Sequence, residues 1–298
     1  MSKKGSRIPS GPWGRLKPVE QDPLESIGLP SKGDKRLLDP RTQERYYTKI
    51  IERYMIFCTD AGKGDELLRR FAALEIGESA SPSTSKDPAA RPSIEALQSP
   101  VNTKALSDVM MALRKLREGI VASKRNDDFS IQAYLFCIRL SVLVKHPESY
   151  HPAILHLLRY LHPRLTLTSV EFQEVVSYLV LDTACRRKEL AEAYSIRHRY
   201  QLKDHKVDMI LHALVHDNYV QFHKIKVTVD GHRARLLEFA ESGMRIQTLK
   251  AFGRAYLSVD LEFLEAMTNS KWDELTNTDR VGWELNDKKV VIRRVRAK

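Results

Sequence analysis

The chain has 298 residues, of which 42% are hydrophobic and 29% are charged, and its formal net charge is +11. This composition is typical of a globular protein with one large or two modest domains. No apolar run is long enough for a transmembrane helix, and the N-terminus lacks the apolar core of a secretory signal, so we expect neither membrane insertion nor secretion. The positive charge favours an anionic partner such as RNA, DNA or an acidic protein.

The N-terminal third of the chain alternates between polar and helical segments. Residues 1–38 are rich in Lys, Pro, Gly and Ser, which predicts a disordered basic N-terminus. Asp39 and Pro40 then predict a helix start, because Asp caps free amides and Pro has no amide to leave unbonded. The helical pattern covers residues 39–76 and predicts a helical arm. Residues 77–100 contain four prolines and six serines, which predicts a disordered linker. The arm is therefore either detached or docked on the domain that follows.

Residues 101–243 are almost entirely amphipathic helix. The segment Ile131–Val144 is apolar on several faces, which predicts a helix in the middle of a stack. A further helix is expected over Tyr150–Leu161, and Thr168 with Glu171 forms a capping-box pattern at the start of the next. Connections look short and no fixed repeat period is visible. We therefore predict a mainly α fold in which helical hairpins stack into an irregular α-solenoid.

Residues 244–298 predict a small winged helix. A first helical stripe is followed by a second helix opening at Ser258 and a third opening at Ser270. The pattern then changes to two β-prone runs over Val281–Arg293, with a turn at Asn286–Asp287, which predicts a hairpin. Three helices followed by a hairpin are typical of a winged helix, a module that binds proteins or nucleic acids and rarely performs catalysis.

An α-solenoid leading into a winged helix resembles the PCI module, a scaffold shared by the proteasome lid, the COP9 signalosome and initiation factor three. Asp217–His223 resembles the family's helix at the turn toward the wing, and Gly282–Arg293 fits the wing. Met244–Phe252 followed by Tyr256–Val259 resembles the bridging helix of the GANP-type branch. That branch groups mRNA-export scaffolds with a small lid subunit and the smallest initiation-factor-three subunit. The resemblance covers roughly residues 102–298.

The resemblance implies a non-catalytic scaffold subunit of a multisubunit, RNA-linked complex for mRNA processing or export. It implies a nuclear location, with the cytoplasm as a second one, and a small acidic companion protein over the wing. The alternative is a structural subunit of the lid, signalosome or initiation-factor class without direct nucleic-acid contact. A sequence-specific DNA-binding factor ranks last, because Asp273 and Glu274 on the third predicted helix would repel phosphate.

No constellation of residues predicts an enzyme, a cofactor or a metal site. Cys58, Cys137 and Cys185 lie in apolar helical patterns, so we expect buried, reduced thiols, as in a nuclear or cytosolic protein. His212 and His216 have the i, i+4 spacing of a metal-binding pair. They lie opposite the apolar face, however, and the glutamate of the HExxH motif does not stand between them. We therefore predict surface histidines and no catalytic residue.

The binding candidates are basic and aromatic. Cations at the end of the chain predict nucleic-acid contacts, since a wing and its tail can lie along a phosphate backbone: Lys288, Lys289, Arg293, Arg294, Arg296 and Lys298. The same charges would also protect an exposed edge strand from aggregation, and both interpretations stay open. For partner contacts we name Trp272, Tyr256 and Phe263 because aromatic residues are enriched at interfaces. We expect Trp283 to belong to the core, whereas a core role for Trp272 stays open.

A second basic cluster flanks His198 and Tyr200. Its members are Arg186, Arg187, Lys188, Arg197, Arg199 and Lys203. This signal is less specific than the basic tail, because different helix faces would separate these charges.

Overall fold

The computed structural model describes residues 23–60 and 100–293, and it is mainly α-helical with one small antiparallel sheet. In chain order the helices are α1 (Pro23–Ser26), α2 (Pro40–Asp60), α3 (Pro100–Ala122), α4 (Asp128–Leu143), α5 (Pro147–His156), α6 (Ser169–Leu181), α7 (Leu190–Arg199), α8 (His205–Val215), α9 (Tyr219–Thr228), α10 (Gly231–Ala255), α11 (Leu261–Thr268) and α12 (Trp272–Asn277). The strands are β1 (Ser258–Asp260), β2 (Glu284–Asn286) and β3 (Lys289–Val291). The chain divides into two compact units between Arg125 and Asn126.

The first unit is built on α2 and α3, which pack against each other. Their buried residues recur at helical spacing: Tyr46, Ile50 and Tyr54 on α2, and Val109, Leu113 and Leu116 on α3. The described part of the arm therefore docks rather than standing free. α3, which we expected to open the solenoid at residue 101, belongs with α2 instead. The rest of the arm and the linker, residues 61–99, lie outside the described residues.

The prediction of disorder is wrong for residues 23–38 of the N-terminus. Leu24 and Leu37 are buried. The Tyr46 hydroxyl donates a hydrogen bond to the carbonyl of Leu24 (3.0 Å), and the Gln43 side-chain amide donates one to the carbonyl of Leu37 (2.8 Å). The compositional prediction failed because a few buried apolar side chains, and hydrogen bonds from α2 to their carbonyls, can order an otherwise polar segment. Residues 1–22 lie outside the described residues.

A glycine permits the close approach of this segment to α3. A Cβ atom at Gly119 would lie only 2.7 Å from the carbonyl oxygen of Leu37. Any larger residue would therefore push the short 3-10 turn at Arg36–Leu38 away from the helix.

The second unit begins with consecutive helices that pack in pairs, α4 with α5, α6 with α7, and α8 with α9. The long helix α10 then packs against α4, α6 and α9. Most residues of α4 are buried, with Ile131 and Ile138 on one face and Phe136 on another, so the expected burial of this helix on several faces is confirmed.

Capping residues mark several of the helix starts. The Asp39 carboxylate accepts from the amide of Thr42 (2.9 Å), and Asp127 caps α4. Thr168 and Glu171 form both hydrogen bonds of a capping box. The start expected at Tyr150 is wrong. That helix is α5, and it begins at Pro147, where the missing amide costs nothing.

The end of the second unit differs from the predicted order of three helices and a hairpin. α10 runs without a break from Gly231 to Ala255, so no boundary falls at residue 244. Ser258 opens a strand rather than a helix, and Asp260 precedes α11. Ser270 is not a cap, because α12 starts at Trp272. Helical periodicity misled the prediction here because β1 has only three residues and depends on a partner strand distant in sequence.

The predicted hairpin of β2 and β3 is confirmed, and β1 adds a third strand to the sheet. β3 lies between β1 and β2, and both pairs are antiparallel. Asn286 pairs with Lys289, so the turn consists of Asp287 and Lys288, one residue later than predicted. Val290 lies opposite Val259 and is fully buried, so one face of the sheet closes the core.

Candidate partner and nucleic-acid interface

A compact apolar cluster positions the candidate surfaces at the end of the chain. Its buried members are Leu249, Phe252, Val259, Leu264, Leu275 and Val290. Trp283 packs against this cluster, as predicted. Trp272 also packs against it and is half-buried, and its amide donates to the Glu265 carboxylate (2.9 Å). The Trp272 ring therefore contributes to the core as well as offering part of its surface to a partner.

The cations of the hairpin turn are exposed. Lys288 lies in the turn, and Lys289 opens β3. Lys289 is paired in register with Asp260 of β1 and Asn286 of β2, so these three side chains share the outer face of the sheet. The opposed carboxylate lowers the positive potential around Lys289. Lys288 is thus the less compensated of the two lysines.

Arg293 is exposed but anchored. Its guanidinium donates to the carbonyl of Gly253 near the end of α10, and its backbone amide donates to the carbonyl of Leu257 (3.1 Å). A cation at a helix C-terminus is favourable because the last carbonyls lack partners. Arg293 therefore helps to hold the hairpin on α10. Arg294, Arg296 and Lys298 lie outside the described residues.

Two of the three aromatic residues predicted to contact partners, Tyr256 and Phe263, lie together. Tyr256 stacks on Phe252, with 5.2 Å between ring centroids, and Phe263 approaches the same ring at 5.8 Å. Phe252 is buried, whereas Tyr256 and Phe263 are each 45% exposed. The pair forms an exposed apolar surface on a rigid support.

Sequence reasoning missed Arg245, which ties α10 to the segment after α12. Its guanidinium donates to Asp279 (2.7 Å) and to the Ser270 hydroxyl (2.9 Å), and it lies 3.4 Å from the Glu274 carboxylate. The side chain of Asp279 is only 6% exposed. These partners are 25 to 34 residues apart from Arg245, so no local pattern pointed to them.

The second basic cluster is divided by the fold. Arg186, Arg187 and Arg197 form ion pairs with Asp182, Glu189 and Asp208 respectively. Arg199 and Lys203 are exposed and form no ion pair within residues 23–60 and 100–293. Only part of the predicted cluster is therefore available to an anionic ligand.

A buried carboxylate joins the π-helical turn after α6 to α5. Asp182 is fully buried, and it accepts from Arg186 at 2.6 and 2.8 Å and from the Tyr150 hydroxyl at 2.5 Å. Burial alone would raise the pKa of Asp182, but the hydrogen bonds, with Arg186 the strongest, outweigh it and lower the pKa to about 2. The carboxylate is thus charged at neutral pH and held by hydrogen bonds, which is the environment of a structural ion pair.

The histidine pair and the three cysteines are the remaining candidate groups. His212 and His216 are exposed, with ring centroids 4.1 Å apart, and the described residues contain no group of three metal-ligating side chains. The three cysteines are buried and free, and burial raises the pKa of Cys58 and of Cys185. A raised pKa keeps a thiol protonated and therefore poorly nucleophilic.

Comparison with known proteins gives no match to any family model and none to any curated protein. Within the described ranges, no helix has the length and apolar character needed to cross a bilayer.

Proposed function

We propose that the protein is a non-catalytic scaffold subunit of the PCI type, in which an irregular α-solenoid leads into a winged helix. The observation that carries this proposal is the order of elements at the end of the chain. The final turns of α10 are followed by β1, α11, α12 and the β2–β3 hairpin, with β3 central in the sheet. A helix, a strand, two helices and a hairpin that pairs with that strand are the parts of a winged helix. The paired helices from α4 to α9 suit a short solenoid.

The winged helix would dock into a multisubunit complex through its exposed aromatic pair. Tyr256 and Phe263 are held by the buried ring of Phe252, so they present apolar area at little cost in side-chain entropy. Trp272 contributes its exposed part. A small acidic companion protein is the partner that the resemblance implies for this end of the chain, and the neighbouring cations Arg254 and Arg293 favour an acidic ligand.

We infer an RNA-linked nuclear complex, concerned with mRNA processing or export, from the resemblance to the GANP-type branch together with the net charge and the exposed hairpin cations. Lys288 and Lys289 are the residues to test, because Arg293 also anchors the hairpin. Reversing both lysines to Glu is expected to weaken RNA binding without loss of helical structure. A double Lys→Gln variant serves as a control for simple loss of charge and should give a smaller effect. Unchanged RNA affinity in the reversed variant would remove the hairpin from the proposed RNA surface.

A structural subunit of the lid, signalosome or initiation-factor class is the second candidate. It is favoured by the carboxylate of Asp260 opposite Lys289, which weakens the hairpin as a phosphate site. A DNA-binding role is less well supported, because Asp273 and Glu274 are exposed on the six-residue helix α12, where DNA recognition would require cations.

One purification separates these candidates. The protein is isolated from its native cells at moderate salt, with and without nuclease, and the associated proteins are identified by mass spectrometry. Partners from an RNA-processing or export complex support the main proposal, and Tyr256→Ser with Phe263→Ser should release those that survive nuclease. Stoichiometric lid, signalosome or initiation-factor subunits would favour the second candidate.

A further inference from the structure

Three half-buried aromatic rings meet where the chain leaves α5, begins α6 and leaves α7. The rings of His162 and Phe172 are stacked with centroids 4.6 Å apart, and Tyr200 meets Phe172 edge-on at 6.0 Å. The connecting backbone is fixed, since the Gln173 side chain accepts from the amide of Lys203 (2.8 Å). The rings therefore form a rigid aromatic surface drawn from three separate elements.

Cations flank these rings in the sequence and are exposed in the structure. Arg164 follows His162 in the same loop, while Arg199 and Lys203 lie on either side of Tyr200. None of the three forms an ion pair with any residue of the described ranges. Of the neighbouring acids, Asp204 pairs with Arg233 (2.7 Å), whereas Glu171 keeps its negative charge in the capping box with Thr168. Three exposed cations beside this one carboxylate leave the surface with a net positive charge.

We propose that this loop-end surface binds a single-stranded segment of RNA, with bases stacking on the aromatic rings and phosphates contacting the cations. The surface consists of His162, Arg164, Phe172, Arg199, Tyr200 and Lys203. Aromatic rings interleaved with unpaired cations are the two components of a single-strand binding surface. Paired bases in a duplex cannot reach such rings, so the surface selects unpaired strands. The inference deepens the proposed RNA-linked function but uses residues separate from the hairpin.

The first test measures the affinity of the full chain for a fluorescein-labelled oligouridylate by anisotropy across a range of salt concentrations. Arg164→Glu, Arg199→Glu and Lys203→Glu together should weaken binding at least tenfold. They should also reduce the salt slope by about 2, because each lost single-strand phosphate contact contributes about 0.7. A charge-matched control carries three reversals on the exposed face of α2, at Arg41, Arg45 and Lys49. Equal weakening by that control would overturn the proposal, since it would show binding by net charge alone.

The second test separates stacking from charge. Tyr200→Leu retains an apolar contact with Phe172 but removes an aromatic face, so affinity should fall by about fivefold or more with the salt slope unchanged. A duplex of the same length should bind more weakly than the single strand. Wild-type affinity of Tyr200→Leu, or equal affinity for the duplex, would refute the stacking surface. Circular dichroism melting curves verify that each variant is folded.

The hairpin variant Lys288→Glu with Lys289→Glu distinguishes this proposal from the proposed hairpin site. Loss of RNA in the loop-end variant, with retention in the hairpin variant, supports the loop-end surface and removes the hairpin as the RNA contact. The reverse result overturns the loop-end surface and leaves the hairpin site standing. Absence of binding by the wild-type chain also overturns the loop-end surface, whereas the scaffold proposal is judged by its co-purifying proteins.

Discussion

Replacing Asp182 by Asn tests the buried carboxylate that pairs with Arg186 after α6 and accepts from the Tyr150 hydroxyl of α5. The carboxylate is fully buried and accepts hydrogen bonds from Arg186 and Tyr150. Its pKa of about 2, compared with an ordinary value of 3.8, corresponds to roughly 2 kcal/mol of stability from the charged form, at about 1.36 kcal/mol per pKa unit. The substitution also leaves Arg186 without its carboxylate, so we expect a loss of about 3 kcal/mol at neutral pH.

The contribution of Asp182 to stability decreases in acid. Because the folded state has the lower pKa, the contribution of Asp182 is complete above the unfolded-state value of 3.8. It is then lost as the pH falls from about 4 through 2. The wild-type protein should therefore lose this part of its stability over that range, whereas Asp182→Asn should lack it. Urea unfolding followed by circular dichroism at pH 7, 4 and 2.5 measures both effects.

An exposed pair provides the matched control. Arg197 and Asp208 are 34% and 35% exposed, so Asp208→Asn should cost no more than about 1 kcal/mol because solvent screens the pair. The reasoning is wrong if Asp182→Asn unfolds within 1 kcal/mol of wild type at pH 7, or if it keeps the full wild-type dependence on acid.

Three further perturbations test the packing of the two units. Gly119→Ala should destabilise the first unit by about 1–3 kcal/mol despite the better helix propensity of Ala, because the new Cβ meets the Leu37 carbonyl, and faster amide exchange in residues 23–38 reports it. Arg245→Met should lower the unfolding free energy of the second unit by about 3 kcal/mol in urea, since Asp279 is left buried without its partner. Cys185 should resist a disulfide reagent in native buffer, because it is buried and its pKa is raised.

Each of these three predictions has a control within the same protein. A Cβ at Gly243 meets nothing within 4 Å, so Gly243→Ala should stabilise α10 by up to about 1 kcal/mol, and equal effects at both glycines would refute the steric argument. Lys250→Met removes an exposed charge from the same helix and should be nearly neutral; a loss as large as that of Arg245→Met would contradict the anchoring role. After denaturation the Cys185 thiol should react with the reagent. Rapid labelling of Cys185 in the native protein would contradict its burial.

Local residue patterns were enough to predict the helical class and some of the helix starts. Asp39 and Thr168 cap helices where predicted, because capping depends on residues only two or three positions apart. The burial of α4 and the hairpin between Glu284 and Val291 followed from equally local patterns of apolar residues and turn residues.

Which segments meet depends on contacts between residues that are far apart in the sequence. Ser258–Asp260 is a strand because β3 pairs with it, and nothing within a few residues of Ser258 indicates that partner. Leu37 is buried because Gly119, far along the chain, leaves room for it. The charges of the second basic cluster were likewise visible in the sequence, whereas their division into ion-paired and available groups was not. Local patterns fix helices through contacts between near neighbours, but docking, burial and charge compensation depend on residues that only the folded chain brings together.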